Sequence, residues 1–293
     1  MRNPAYYETV VRMLGEIQES QGAAIDKAAD LIFSSLAADG VLHVFGSGHS
    51  HLVAEEAFHR AGGLVPVNPM TEPFLTPLTP PKKSGRLERV SGIAAILLEY
   101  HEPRPGEVLI IVSNAGINPV PVELALEAKQ RGLTVIAITS LRHAGAVASR
   151  HASGKRLFEI ADLVIDNRGE PGDGAVALPG LAEKVGPTSL LAGAFIMNSI
   201  VCGVVERYLA KGLLPPVYLS ANLPGGDEHN RRLEAKYKGR IKLLRLERIR
   251  EKGVHGSRLT ARGRTNPFPK DFLPSAPNVF LSRSFCYCFQ PSC

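Results

Sequence analysis

Three short segments of the chain carry the residues best able to hold an anion. They are Gly46-Ser47-Gly48-His49-Ser50, Ser113-Asn114-Ala115-Gly116-Ile117-Asn118 and Thr139-Ser140. Small hydroxyl and amide side chains supply donors, and glycine lets backbone amides close on a ligand. The first two segments lead into helix-patterned stretches, whose unpaired N-terminal amides and dipole favour negative charge. Three or four such bonds to a dianion contribute about 1.5–3 kcal/mol each. Neither turn is followed by Gly-Lys-Ser/Thr, and the third position beyond Gly48 is His51. Walker and dinucleotide turns are therefore both absent, and no cofactor is expected.

Acid–base chemistry near these turns has a short list of carriers. Glu55 and Glu56 lie five and six residues past Ser50, and His59 follows them at helical spacing. His49 and His51 flank Ser50, and His143 follows Ser140 by three positions. Glu183-Lys184 precede Gly186-Pro187-Thr188-Ser189, so a carboxylate and an ammonium sit beside a helix start. His43, within an apolar run, reads as a core histidine, and Cys202, in an apolar helix, as packing. No Gly-x-Ser-x-Gly elbow or His-Glu-x-x-His occurs. Cys286, Cys288 and Cys293 crowd the last eight positions without zinc-ribbon spacing, and no metal site is expected.

The elements that must position these residues follow from hydrophobic rhythm. Residues Tyr7–Glu19 and Ala23–Ala37 place apolar side chains three and four apart and predict two helices. Unbroken apolar runs then predict strands at 41–45, 64–67, 107–112, 133–138 and 163–166. Helical stretches at 50–61 and from Pro119 to about Arg131 separate them, and a long apolar helix, Ser189–Lys211, closes the pattern. Alternation of this kind predicts an α/β protein, a doubly wound three-layer αβα sandwich on a five-stranded parallel sheet. In such a sheet the ligand sits beyond the carboxyl ends of the strands. Proline-rich Asn68–Arg89 reads as a long loop, and long loops in compact domains are often lids or binding loops.

Charge divides the chain of 293 residues. Residues 231–293 carry 15 Lys and Arg against 4 Asp and Glu, whereas the first 230 carry 19 against 24. Residues 1–244 are expected to form the domain. Residues 245–293 form a basic extension; Lys236–Arg250, which straddles its start, could be a basic helix, and Gly253–Cys293 has no period and reads as disordered. Binding of nucleic acid is not expected. One cysteine in the body suits a reducing cytoplasm. No apolar run is read as spanning a membrane, and Met1–Tyr7 lacks the apolar core of a signal peptide.

The two longer turns resemble the phosphosugar-binding turns of the sugar isomerase (SIS) domain. The run Ser113–Pro121 and the stretch Lys184–Ser189 are similar to a bacterial phosphosugar-binding branch related to phosphoheptose isomerase and N-acetylmuramic acid 6-phosphate etherase. The resemblance covers about residues 5–244 and implies the five-stranded parallel sheet, a phosphorylated sugar at the strand ends, and pairing of subunits as a homodimer or higher homo-oligomer. It implies phosphate ligands Gly46, Ser47, Gly48, Ser50, Ser113, Asn114, Gly116, Asn118, Ser140 and Lys184. It implies proton carriers Glu56 or Glu183, assisted by His49 or His59. Two positions depart from the pattern: Ala115 replaces a usual serine, and Ile117 a polar or basic residue. An overlay on phosphoheptose isomerase puts Glu56 and Arg60 where its zinc ligands stand, so that metal site is not preserved. The activity expected is aldose–ketose isomerisation of a sugar phosphate. An etherase-like lyase and a non-catalytic sensor are the alternatives.

Overall fold

A computed structural model describes residues 4–244. Its chain order is α1 (Pro4–Ala37), β1 (Leu42–Gly46), α2 (His51–Ala57), β2 (Val67–Met70), α3 (Pro81–Leu87), α4 (Ile93–His101), β3 (Val108–Val112) and α5 (Pro119–Gln130). There follow β4 (Thr134–Thr139), α6 (Leu141–Gly145), β5 (Leu163–Asp166), β6 (Gly174–Val176), β7 (Val185–Pro187), α7 (Ser189–Ala210) and α8 (Gly226–Glu234). Five strands form one parallel sheet in the order β2-β1-β3-β4-β5, and β6 and β7 make a separate antiparallel hairpin. The strand order reverses between β1 and β3, which opens the ligand crevice of a doubly wound sheet there.

Alternate strand residues fill two cores. Leu42, Val44, Val108, Ile110, Ile136 and Ile165 face α1, α2 and α7, while Phe45, Leu109, Ile111, Val135 and Ala137 face α4 and α5. Burial on both sides explains the unbroken apolar runs. The three-layer αβα sandwich expected from the sequence is thus the observed one.

Several element boundaries differ from expectation, each for a local reason. The two predicted N-terminal helices are one, α1, because Met13, Ile17, Ile25, Ala28 and Ile32 make a continuous buried stripe across Gly15 and Gly22. That burial outweighs the ~1 kcal/mol each helical glycine costs. The second strand is β2 rather than 64–67, because Leu64 and Val65 pair instead with residues 216–217. Within the expected loop Asn68–Arg89 lies α3, opened by Pro81. The helix α4, entered through left-handed Gly92, was not anticipated. In place of the start of a helix at Lys236, one 3-10 turn spans Lys242–Leu244, and positions 245–293 lie outside the described residues. Contrary to the reading that no run could span a membrane, α7 is long and apolar enough to do so by length and composition. It buries Ala192, Ile196, Met197, Ile200 and Val204 in the core shared with α1, as a core helix does.

Candidate functional site

Turn conformation sets up the crevice. Gly46 ends β1 so close to the following helix that a Cβ there would collide with the Ser50 carbonyl. Gly48 (φ 55°) and Gly116 (φ 59°) hold left-handed backbone, which glycine adopts without steric cost. Ser47 and Ser113 are buried at the two strand ends. Ser113 Oγ accepts the Gly116 amide at 3.2 Å, which curls the second turn. The amides of Ala115, Ile117 and Asn118 donate to no described group, so the turn presents a set of free N–H donors.

The start of α5 itself offers little. Pro119 and Pro121 have no N–H, the Val120 amide donates to the Glu88 carbonyl at 3.2 Å, and the Val122 amide donates to the Asn118 carbonyl. An anion held here would therefore be bound by the turn and not by the first helical turn, a change from the helix-terminus expectation.

Glu88 is the residue that sequence reasoning missed. It caps the end of α3, and its carboxylate accepts the Ser47 hydroxyl at 2.8 Å while its carbonyl holds Val120. One residue thus ties the turn after β1 to the helix after β3, across the point where strand order reverses. The available signal was the proline-rich loop that carries it.

The other expected residues divide. Gly46, Ser47, Gly48, Ser50, Ser113, Asn114, Gly116 and Asn118 lie in the turns that flank this crevice. The Asn114 carbonyl-type oxygen accepts from Asn167 at 3.0 Å, and that of Asn118 accepts from Arg150 at 2.9 Å, which leaves an NH2 on each without a described partner. Ser140 is fully buried, its hydroxyl donating to the Gly169 carbonyl at 2.6 Å and accepting the His143 amide at 3.0 Å. Its one hydroxyl hydrogen is used, which corrects its assignment as a phosphate donor.

Lys184 is also misplaced by the expectation. It pairs with Glu170 at 3.1 Å, and Glu170 also pairs with Arg142. With Arg12, Glu16 and Arg168 these groups line a separate cleft of about 270 Å³ against α1. Lys184 and Arg142 hold the Glu170 carboxyl below its usual range. Glu183 is exposed beside it. The start of α7 is already filled: Asp173 accepts the Thr188 and Ser189 amides and the Ser189 hydroxyl.

Glu56 pairs with Arg60, four residues on, and accepts from Asn198 of α7 at 3.1 Å. His59 does not share a helical face with it, because α2 ends at Ala57 and His59 turns left-handed (φ 48°). Its ring instead meets Glu234 at 3.1 Å and packs on Tyr218. His49 is exposed, whereas His51 is buried and bonded to the Gly48 carbonyl, bracing the turn.

A buried polar cluster lies elsewhere in the sheet. His43 meets Glu107 at 3.0 Å, and the Asn68 NH2 donates to His43 Nδ1 and to His101 Nδ1 at 3.0 and 3.1 Å. Burial lowers the His43 pKa, against the pull of Glu107. Burial alone would raise the Glu107 carboxyl, but bonds from His43, the Arg104 amide and Arg240 hold it at about 2. The cluster is an internal brace, in keeping with the core role read for His43.

Among the described residues no group of three or more His, Cys, Asp or Glu is placed to hold a metal ion. The doubly wound five-stranded parallel sheet is that of an SIS-type α/β protein, and residues 5–140 match the SIS domain family. A UPF0309 protein of Shouchella clausii is 43% identical over 237 residues, spanning 80% of this chain and 96% of that one. Another, from Thermoanaerobacter pseudethanolicus, is 43% identical over 243 residues, spanning 82% and 98%. The chain belongs to the UPF0309 family of SIS-domain proteins. Among solved structures, a phosphoheptose isomerase from Francisella tularensis is similar at a TM-score of 0.46 and 16% identity, covering 70% of this chain and 96% of that one.

Proposed function

We propose that the chain binds a phosphorylated sugar in the crevice between β1 and β3 and interconverts its aldose and ketose forms. The observation that carries this reading is the Glu88 carboxylate on the Ser47 hydroxyl, between the two turns. Free amides of Ala115, Ile117 and Asn118, the Ser113 hydroxyl and the NH2 groups of Asn114 and Asn118 supply the donors for the phosphate, and Glu88 stands on the opposite turn. Isomerisation moves a proton between adjacent carbons, and one carboxylate over both carbons can take it from one and return it to the other. Glu88 is that carboxylate, and Ser47 keeps it in place. Glu56, already neutralised by Arg60, serves the α2–α7 contact. The protein works in the cytoplasm as a homodimer, joined through the face that α7 leaves open at Leu190, Leu191 and Cys202, the last of which is exposed and not packed in the core as its apolar helix suggested.

The test is a thermal-shift screen with hexose, heptose, hexosamine and muramic acid phosphates, followed by turnover assays on those that bind. A ligand of the native state raises the melting temperature. Glu88→Gln, which retains the Ser47 contact, is expected to keep the shift and to lose turnover by about 10²–10⁴-fold. Unchanged turnover in that variant overturns the assignment of Glu88. Binding without turnover in the unaltered protein makes it a sensor, and release of lactate from a muramic acid phosphate makes it a lyase.

A further inference from the structure

A cavity of about 580 Å³ runs beside edge strand β2, and none of the turn residues assigned to the phosphate lines it. Its walls are largely apolar and include Phe74, Ile93, Ile96, Leu97 and Tyr100. At its polar end stand His101 and Glu72. His101 is 4% exposed, and its Nε2 has no hydrogen-bond partner among the described residues. Because Asn68 donates to Nδ1, the ring carries its hydrogen on Nε2. Glu72 Oε1 lies 3.8 Å from that nitrogen, too far for a direct hydrogen bond.

A buried donor left without an acceptor is costly, so this arrangement calls for a third group. We propose that the cavity is a binding site for a neutral, hydroxyl-bearing aromatic molecule of the phenol class. A hydroxyl accepts from His101 Nε2–H and donates to Glu72, which completes both groups at once. The aromatic body fills the space between Phe74 and Tyr100. Glu55 also lines the cavity, and Lys242 is engaged by Glu102 at 2.5 Å. Two carboxylates against one paired ammonium exclude anions, so a sugar phosphate does not compete for this site. The volume falls within the usual range for small-molecule pockets.

The experiment is titration of the full chain with p-cresol and with toluene, its counterpart without the hydroxyl, followed by ligand-observed NMR. Saturable binding of p-cresol at least tenfold tighter than toluene is expected. Ile96→Trp, at a position 64% exposed and outside the core, narrows the cavity and is expected to weaken p-cresol binding severalfold without lowering the melting temperature. Glu72→Leu is expected to bring the two ligands to near-equal affinity. Equal binding of the two ligands to the unaltered protein means that a water alone bridges His101 and Glu72, and overturns the proposal. No saturable binding up to the solubility limit, or p-cresol affinity unchanged in both Ile96→Trp and Glu72→Leu, overturns it as well.

Discussion

Two regions on the carboxyl side of the sheet are finished differently, the middle where β1 meets β3 and the edge at β5 with the separate β6–β7 hairpin beyond it. In the middle, the turn after β3 leaves three amides unengaged, and a carboxylate rests on a serine hydroxyl. At the edge, Lys184, Glu170 and Arg142 satisfy one another, and Asp173 saturates the start of α7. Charge is denser in the second region, yet the unmet hydrogen-bonding capacity is in the first. A binding site is better recognised by donors left over than by charges present, since paired exposed ions contribute little.

The sharpest way to break this contrast is Glu88→Gln against Glu183→Gln. The first is expected to cost about 10²–10⁴-fold in turnover and the second nothing measurable, read as kcat on whichever sugar phosphate shifts the melting temperature. Next comes Gly46→Ala. The collision with the Ser50 carbonyl forces the first turn apart, and calorimetry should show a stability loss of about 2–4 kcal/mol together with loss of ligand binding. A ligand-induced shift of native size in that variant would move the site elsewhere.

Acid should act through neither region. With His43 held neutral below its usual pKa and Glu107 at about 2, the unfolded chain takes up protons near pH 6.5 and 4.5 that the native cluster refuses. Stability is full above about pH 6.5 and falls as pH drops, Glu107's share of up to ~3 kcal/mol being lost between about pH 4.5 and 2. Denaturant titrations across that window should show a flatter acid limb for Glu107→Gln.

Ser47→Ala should lower turnover severalfold and leave the ligand-induced melting shift nearly unchanged, because the Ser47 hydroxyl spends its one hydrogen on Glu88 and its loss frees that carboxylate to move. The smallest effect is expected from Lys184→Met, less than about twofold on binding, as befits an exposed ion pair in the other cleft. A larger loss there would erase the distinction between the two regions.

How much of this was legible beforehand depends on range. The strands at 107–112, 133–138 and 163–166 announce themselves because burial on both faces favours apolar residues at nearly every position between their polar ends. The turns were visible through glycine and serine. What escaped was whatever depends on a distant partner. Ser140 looks like a ligand until Gly169, 29 positions later, claims its hydroxyl. His59 has helical spacing from Glu55, but α2 ends two residues before it. Glu88 sits in a loop without periodicity, and only the folded chain shows that it closes the crevice.

The length of α1 has a practical side. At 34 residues it runs about 50 Å. Near its beginning the Tyr6 hydroxyl grips the Pro187 carbonyl at 2.8 Å, and the tyrosine ring lies against Gly186; near its far end Asp26 and Asp30 clasp Arg207. A change at Tyr6, in the first turn of α1, therefore reaches the small hairpin directly. Crystallisation and labelling schemes are better served by fusions that leave the first helical turn unencumbered.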